Sequence, residues 1–265
     1  MPRPYTALIR TYKSAPLVFR VVAALRAQSY PPASIIAVDS GSDPAEIGRL
    51  RVTVDKVIDL SGQAFNYSRA INVGVQQCGT PCVLIISSHV VLNDEFVMER
   101  FSDELGRRGY EVGFMISHSD KIWELREVNS ESFTGANGLT NSCSFLPASL
   151  VLSFPFREEV FSAEDQEWTS RYFQATGGKM LGITTRSISY LNPRFSYAKK
   201  LNEELALAYY VDRKRLRLDR VGVWLAKALW SLVRQDLDKA RFRLSVVRGL
   251  LEARRTAPIR SSKYF

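Results

Sequence analysis

The sequence predicts an α/β protein: a doubly wound sheet flanked by helices, followed by a helical C-terminal extension. Two observations carry this. Short β-branched runs alternate with helix-patterned stretches through the first half of the chain, and such alternation builds a mostly parallel sheet. After residue 200 the strand signal stops, and two long stretches carry apolar residues at helical spacing.

The strand candidates are Tyr5–Arg10, Ile35–Asp39, Lys56–Leu60, Val83–Ser87 and Glu111–Ser117. Between them lie helix candidates at Pro16–Gln28, Ala45–Leu50, Ser68–Cys78 and Asp94–Arg107. In the first of these, Pro16 occupies an allowed first-turn position, and Leu17, Val21, Ala24, Leu25 and Gln28 follow at helical spacing. Ligands of doubly wound sheets gather at the carboxyl ends of the strands. Polar residues fall at three such ends: Arg10-Thr11, Asp39-Ser40-Gly41-Ser42 and Ser87-Ser88-His89. Residues 118–150 read as looser, with the small polar run Thr134–Asn141 fitting either a plain surface turn or a segment that a ligand approaches closely.

Length and composition suit one large domain with a modest appendage. The chain has 265 residues, 46% hydrophobic and 24% charged, the balance of an ordinary globular protein. No stretch is long and apolar enough to cross a bilayer, and no apolar leader precedes the strand at Tyr5. Cys78, Cys82 and Cys143 lack the spacing of a zinc site or a disulfide framework and read as small hydrophobes in a reducing cytoplasm. The net charge of +9 is uneven: residues 1–200 hold 21 Lys+Arg against 20 Asp+Glu, and residues 201–265 hold 15 against 7. The two regions are therefore expected to be distinct, 1–200 catalytic and 201–265 a basic amphipathic extension.

Candidate chemistry converges on Glu164-Asp165 in the run Phe161–Trp168, where the pair opens an amphipathic helix. The positive end of the helix dipole is expected to keep Asp165 ionised, as a general base for a hydroxyl requires. Simple N-terminal helix charge is the plain alternative. Asp39 ends an apolar strand before Ser-Gly-Ser. Its carboxylate suits the ring N–H of uracil or thymine, or else caps its own turn. Arg69 and Asn72 share one helical face near a helix start, where phosphates bind, although an arginine there can equally be an exposed surface residue. Trp168 is either a packing residue or a platform for an acceptor.

Ile9–Lys13, Ile35–Ser42, Phe65–Gly74 and the run from Pro155 through Glu158-Glu159 to Trp168 together resemble family 2 glycosyltransferases of the GT-A fold, over roughly residues 5–200 and in consistent order. Within that family the sequence is most similar to the rhamnosyltransferase-like subgroup. The resemblance implies a Rossmann-like sheet that binds a nucleotide-diphosphate sugar, UDP- or dTDP-linked, and transfers the sugar with inversion to a glycan or lipid-linked saccharide. It implies that Arg10, Thr11, Tyr12, Asp39 and Ser40 frame the nucleoside and that Arg69 and Asn72 lie near the diphosphate. It further implies Asp165 as the base, Glu164 beside it, and Asn141 with Trp168 toward the acceptor.

Ser87-Ser88-His89 stands where the family usually has Asp-x-Asp, whose last carboxylate binds a divalent ion, and the subgroup has a similar Ser-Ala-His. His89 is left as a candidate ligand for Mn²⁺ or Mg²⁺, or as a cation toward phosphate, with a structural histidine as the plain alternative. The histidine that many members carry late in the domain is missing from Tyr190–Tyr197, which leaves Arg194, Lys199 and Lys200 as candidate cations for the leaving diphosphate. These two departures motivate the competing class, a catalytically silent nucleotide-sugar-binding protein of the same fold. Nucleotidyl transfer is disfavoured because the chain has no glycine-rich phosphate loop near its start.

In the extension, Val221, Trp224, Leu225, Ala228, Leu229, Leu232 and Val233 form one apolar stripe, and a second helix follows at about Leu237–Arg254. The pair packs on the catalytic part, meets an anionic membrane surface, or does both, which would make the protein peripheral on the inner face of the cell membrane. No nucleic-acid motif is present.

Overall fold

The computed structural model describes residues 3–191 and 196–256. In chain order the first half runs β1 (Tyr5–Thr11), α1 (Leu17–Arg26), β2 (Ser34–Asp39), α2 (Pro44–Thr53), β3 (Lys56–Asp59), α3 (Tyr67–Val75), β4 (Cys82–Ser87), β5 (Val90–Leu92), α4 (Val97–Arg108) and β6 (Val112–Ser117). There follow β7 (Glu124–Val128), β8 (Cys143–Pro147), α5 (Ala148–Ser153), α6 (Glu164–Thr176), β9 (Met180–Thr185) and β10 (Ile188–Tyr190). The chain ends in α7 (Tyr197–Ala206), a π-helical turn at Leu207–Val211, a 3₁₀ turn at Arg213–Leu216, α8 (Leu218–Val233) and α9 (Leu237–Ala253).

The eight-stranded sheet has the order β3-β2-β1-β4-β8-β6-β9-β7. Strands β1 to β4 are mutually parallel, and β8 runs antiparallel to both β4 and β6. The central strands are buried on both faces, which is why Leu8-Ile9, Ile35–Val38 and Val83–Ile86 are continuous apolar runs. One face packs on α1 and α4 through Val21, Leu25, Met98 and Phe101, and the other on α3, α5 and α6 through Ile71, Val151 and Trp168. Caps fix the helix starts: Asp43 accepts from Glu46 N before α2, and Asn66 accepts from Arg69 N before α3.

Chain order reverses between β1 and β4, since the chain winds outward through β2 and β3 before crossing back. Ligands of open α/β sheets bind outside the carboxyl ends of the strands at such a reversal. Arg10 of β1 and Ser87 of β4 are register partners there, and Thr11 pairs with Asp39 across to β2.

The terminal helices build a third apolar cluster, in which Leu205, Leu207, Val221, Phe242, Val246 and Leu250 pack with Phe161 and Ala163. This cluster therefore reaches the residues immediately before α6. The sequence reading left β5, β7, β8, β9, β10 and α5 unassigned; β7, β8 and β9 complete the far half of the sheet with β6, and β10 pairs with β5 in a separate two-stranded sheet.

Candidate active site

The carboxyl ends of β1 and β2 are joined into one rim. Ser40 N donates to the Thr11 carbonyl at 3.0 Å, and Lys13 N donates to Ser42 Oγ at 2.7 Å. Glu46 Oε1 accepts from Ser14 N and Ala15 N, while Ser14 and Ser88 share a hydroxyl–hydroxyl bond of 2.8 Å, tying the β1 loop to the end of β4. Gly41, at φ +112°, lets the turn pass under the Tyr12 ring, to which a Cβ would stand 3.8 Å away.

Asn141 is the hub of the site. Its carbonyl accepts from Arg10 Nη2 at 2.9 Å and from Ser87 Oγ at 3.4 Å. Its backbone N–H donates to Asp165 Oδ2 at 3.2 Å, and its side-chain Nδ2 donates to Glu164 Oε1 at 3.0 Å. One residue thus connects the ends of β1 and β4 to both carboxylates at the start of α6. The loop that holds it is seated tightly: Leu139 N donates to Thr169 Oγ1, Gly138 N donates to Gln166 Oε1, and a Cβ on Gly138 would stand 2.5 Å from Thr169 Cγ2.

Before α6, Ala163 adopts a left-handed conformation at φ +52°, which costs a non-glycine residue of order 1 kcal/mol and turns Glu164 and Asp165 toward Asn141. Burial and the adjacent Glu164 carboxylate push Asp165 up to about 7, although N–H bonds from Asn141 and Gln166 oppose the shift. This corrects the expectation that the helix dipole keeps Asp165 fully ionised: desolvation beside a like charge outweighs a helix-terminus effect of about 0.3–1 kcal/mol. Arg10 lies beside this pair, with Nη1 3.7 Å from Glu164 Oε1 and its guanidinium carbon 5.2 Å from the Tyr67 ring centroid. Arg10 Nε and Nη1 are buried without a hydrogen-bond acceptor.

Glu203 of α7 also faces the site. Its charge helps to raise Asp165, and Glu203 is itself raised by burial. The sequence reading missed Glu203, because an acid in a polar helix 38 positions after Asp165 carries no local signal. Tyr67 was passed over inside a motif that was otherwise read.

Several expected binding residues are engaged elsewhere. Asp39 is fully buried: Oδ1 accepts from Gly41 N and Ser42 N, and Oδ2 accepts from Ser42 Oγ, so its carboxylate holds its own turn. Asn72 exchanges two bonds with the Phe156 backbone, Nδ2 to the carbonyl at 2.8 Å and Oδ1 from the N–H at 3.0 Å, and clamps α3 to the segment that leads to α6. Arg69 Nε donates to Glu158 Oε2 at 2.8 Å. Trp168 offers no face to an acceptor: it is fully buried, stacked between Phe156 and Tyr172, and donates Nε1–H to the Phe154 carbonyl. Asn141 is likewise buried and positions the carboxylates instead of meeting an acceptor. Arg194 lies outside the described residues.

His89 packs edge-on to Tyr190 with ring centroids 4.6 Å apart, and its Nε2 is buried without a partner. Burial, Arg10 and Lys199 push it down to about 4, so it is a neutral imidazole and not the cation considered above. As a donor set for a divalent ion the strand end is poor, because the Ser87 and Ser88 hydroxyls are engaged with Asn141 and Ser14. Among the described residues no group of three His, Cys, Asp or Glu could hold a metal ion. One neutral imidazole beside two cations does not fit a protein-held hard cation.

A sequence model described as "Glycosyl transferase family 2" matches residues 6–157. No curated protein matches the chain in sequence. Among solved structures, a mannosyltransferase from Pyrobaculum calidifontis in complex with GDP-Man and Mn²⁺ is similar over 98% of this chain and 77% of its own, with TM-score 0.63 and 12% identity. Glucosyl-3-phosphoglycerate synthase from Mycobacterium tuberculosis, in complex with Mn²⁺, UDP-Glc and phosphoglyceric acid, is similar over 78% of this chain and 79% of its own, with TM-score 0.58 and 12% identity. S. aureus TarS in complex with UDP-GlcNAc is similar over 93% of this chain and 92% of its own, with TM-score 0.52 and 16% identity. At these identities the likeness is one of fold.

Proposed function

Because the chain belongs to glycosyl transferase family 2, we propose that it is an inverting glycosyltransferase that moves a sugar from a UDP- or dTDP-linked donor to a hydroxyl of a glycan or lipid-linked saccharide. Residues 1–200 form the catalytic part in this reading, and the similarity of Ser87-Ser88-His89 to the Ser-Ala-His of the rhamnosyltransferase-like subgroup supports placing the chain there. One observation carries the proposal. Asn141 bonds Asp165 and Glu164 on one side and Arg10 and Ser87 on the other, so a base and a buried cation meet where the sheet order reverses.

The acceptor O–H gives its proton to an Asp165 oxygen while the acceptor oxygen attacks the anomeric carbon. The bond from that carbon to the diphosphate oxygen breaks, and the nucleoside diphosphate departs opposite the new bond. One displacement inverts the anomeric centre, and no second carboxylate nucleophile is needed. An Asp165 that titrates near neutral pH is a stronger base than a surface carboxylate and is still partly ionised there. The unpartnered Arg10 nitrogens supply charge-assisted donors toward the departing diphosphate. Structures of two neighbours were solved with Mn²⁺ and a nucleotide sugar; the strand end here lacks the carboxylates to hold such an ion, and in this reading Arg10 meets the charge of the departing diphosphate.

The test is transfer and hydrolysis across a panel of nucleotide sugars. Asp165→Asn is expected to retain donor binding and to lose about 10³-fold in turnover. The replacement of Asp-x-Asp favours one competing reading, a silent nucleotide-sugar-binding protein. That reading stands if donor binds and neither wild type nor Asp165→Asn turns it over. Residues 201–265 are assigned to hold the protein at an anionic membrane surface, near lipid-linked acceptors.

A further inference from the structure

The outward face of α8 is largely apolar, with Asp219 its one acidic residue. Val221, Ala228 and Ser231 turn inward and are buried, whereas Leu218, Leu225, Leu229, Trp230 and Val233 are exposed, Trp230 to 57% and Val233 to 73%. With Val223 and Leu232, seven large apolar side chains of α8 are exposed, more than the scatter expected on a protein surface. At 16 residues α8 is about 24 Å long, and no described helix is long and apolar enough to cross a membrane.

Beside this arc lies a cleft of about 430 Å³, walled by the cations Lys214, Arg215, Arg220 and Lys227, by Trp224, and by the carboxylates Glu204 and Asp212. Arg215 is paired with Glu204 and Asp212. Lys214, Arg220 and Lys227 have no carboxylate partner among the described residues, and Lys227 sits 5.1 Å from the Trp224 ring centroid. Two of these cations project from α8 itself, on the edge where its apolar arc gives way to polar residues. A second copy is a poor occupant of the face, since residues 201–265 carry 15 basic against 7 acidic residues and self-association would oppose like charges.

We infer that α8 lies flat on an anionic phospholipid bilayer, its apolar arc in the acyl boundary and a lipid phosphate group in the cleft of Lys214, Arg220 and Lys227. This rests on the membrane reading of the extension and names the face and the headgroup contact that carry it. Apolar burial and cationic attraction act together at such an interface.

The experiment is flotation of the full chain with vesicles of phosphatidylcholine alone or with one quarter phosphatidylglycerol, read beside sedimentation of the free protein. Partitioning is expected onto the anionic vesicles only. It should fall at least tenfold in Leu229→Glu and, separately, in Arg220→Glu/Lys227→Glu, with the melting temperature and donor-nucleotide binding of each variant unchanged. Equal partitioning onto both vesicle types overturns the headgroup contact. Undiminished partitioning of Leu229→Glu overturns the α8 face. Failure of the wild type to float, or an association of copies that Leu229→Glu abolishes, overturns the lipid as occupant. None of these readouts depends on sugar transfer, so their failure leaves the Asp165 reading intact.

Discussion

Asp165 owes its basicity to its surroundings, and two consequences can be measured. Its carboxyl is raised to about 7 by burial and by Glu164. Turnover should therefore rise with pH along a limb centred near 7 as the base ionises. Glu164→Gln removes the like charge and should move that limb down by roughly one unit, as read in a pH–rate profile. The second consequence concerns stability. A carboxyl whose folded value lies above its unfolded value of 3.8 favours the fold fully only below 3.8; that advantage is lost as pH rises through about 7. Asp165→Asn should accordingly stabilise the protein at pH 8 by about 1–2 kcal/mol, a figure reduced for partial solvent access, and by less at pH 4.5. Thermal melts at the two pH values check this. Residue type alone revealed that Asp39, Asn72 and Trp168 carry hydrogen-bonding or stacking capacity. It could not reveal where that capacity points, and in all three it is satisfied inside the protein. That Glu164 and Asp165 open α6 was legible because a helix start fixes the direction of its first turn.

At the scale of elements, β1, β2 and β4 were readable because they are apolar on both faces and end abruptly in polar residues, and the short edge strand β3 was readable from the Val-Ile pair that it carries. In the other half only β6 was, as Glu111–Ser117. Strand β7 is the polar edge segment Glu-Leu-Arg-Glu-Val, and β8 is the short run Cys-Ser-Phe-Leu-Pro, pinned only by its antiparallel partners β4 and β6. Neither carries the alternation or β-branched density that marks a strand in isolation. The same blind stretch contains the 138–141 loop, which is held by contacts with α6 some thirty residues on. Gly138 is small because Thr169 occupies the space where a Cβ would go. Gly138→Ala should cost ~1–3 kcal/mol of stability and at least tenfold in turnover by displacing Asn141. Denaturant melts and single-substrate kinetics on the same variant give both numbers.

At the scale of the whole molecule, the apolar cluster of the terminal helices closes over Phe161 and Ala163, and the next two residues are the carboxylate pair. Helix α7, which spans the boundary expected after residue 200, also brings Glu203 and Lys199 toward the base and His89. Composition predicted that the tail is helical and basic, with a charge of its own. It did not indicate that the tail packs against the left-handed Ala163 just before Glu164 and Asp165, because that contact joins segments far apart in sequence. A left-handed alanine is a poised joint: little energy separates its held geometry from a relaxed one, and the terminal helices supply the hold. Given the lipid contact inferred for α8, the protein should behave as an interfacially activated enzyme. Adding phosphatidylglycerol vesicles should raise turnover of a water-soluble acceptor several-fold in a continuous assay, and the gain should vanish in Leu229→Glu while vesicle-free turnover stays unchanged.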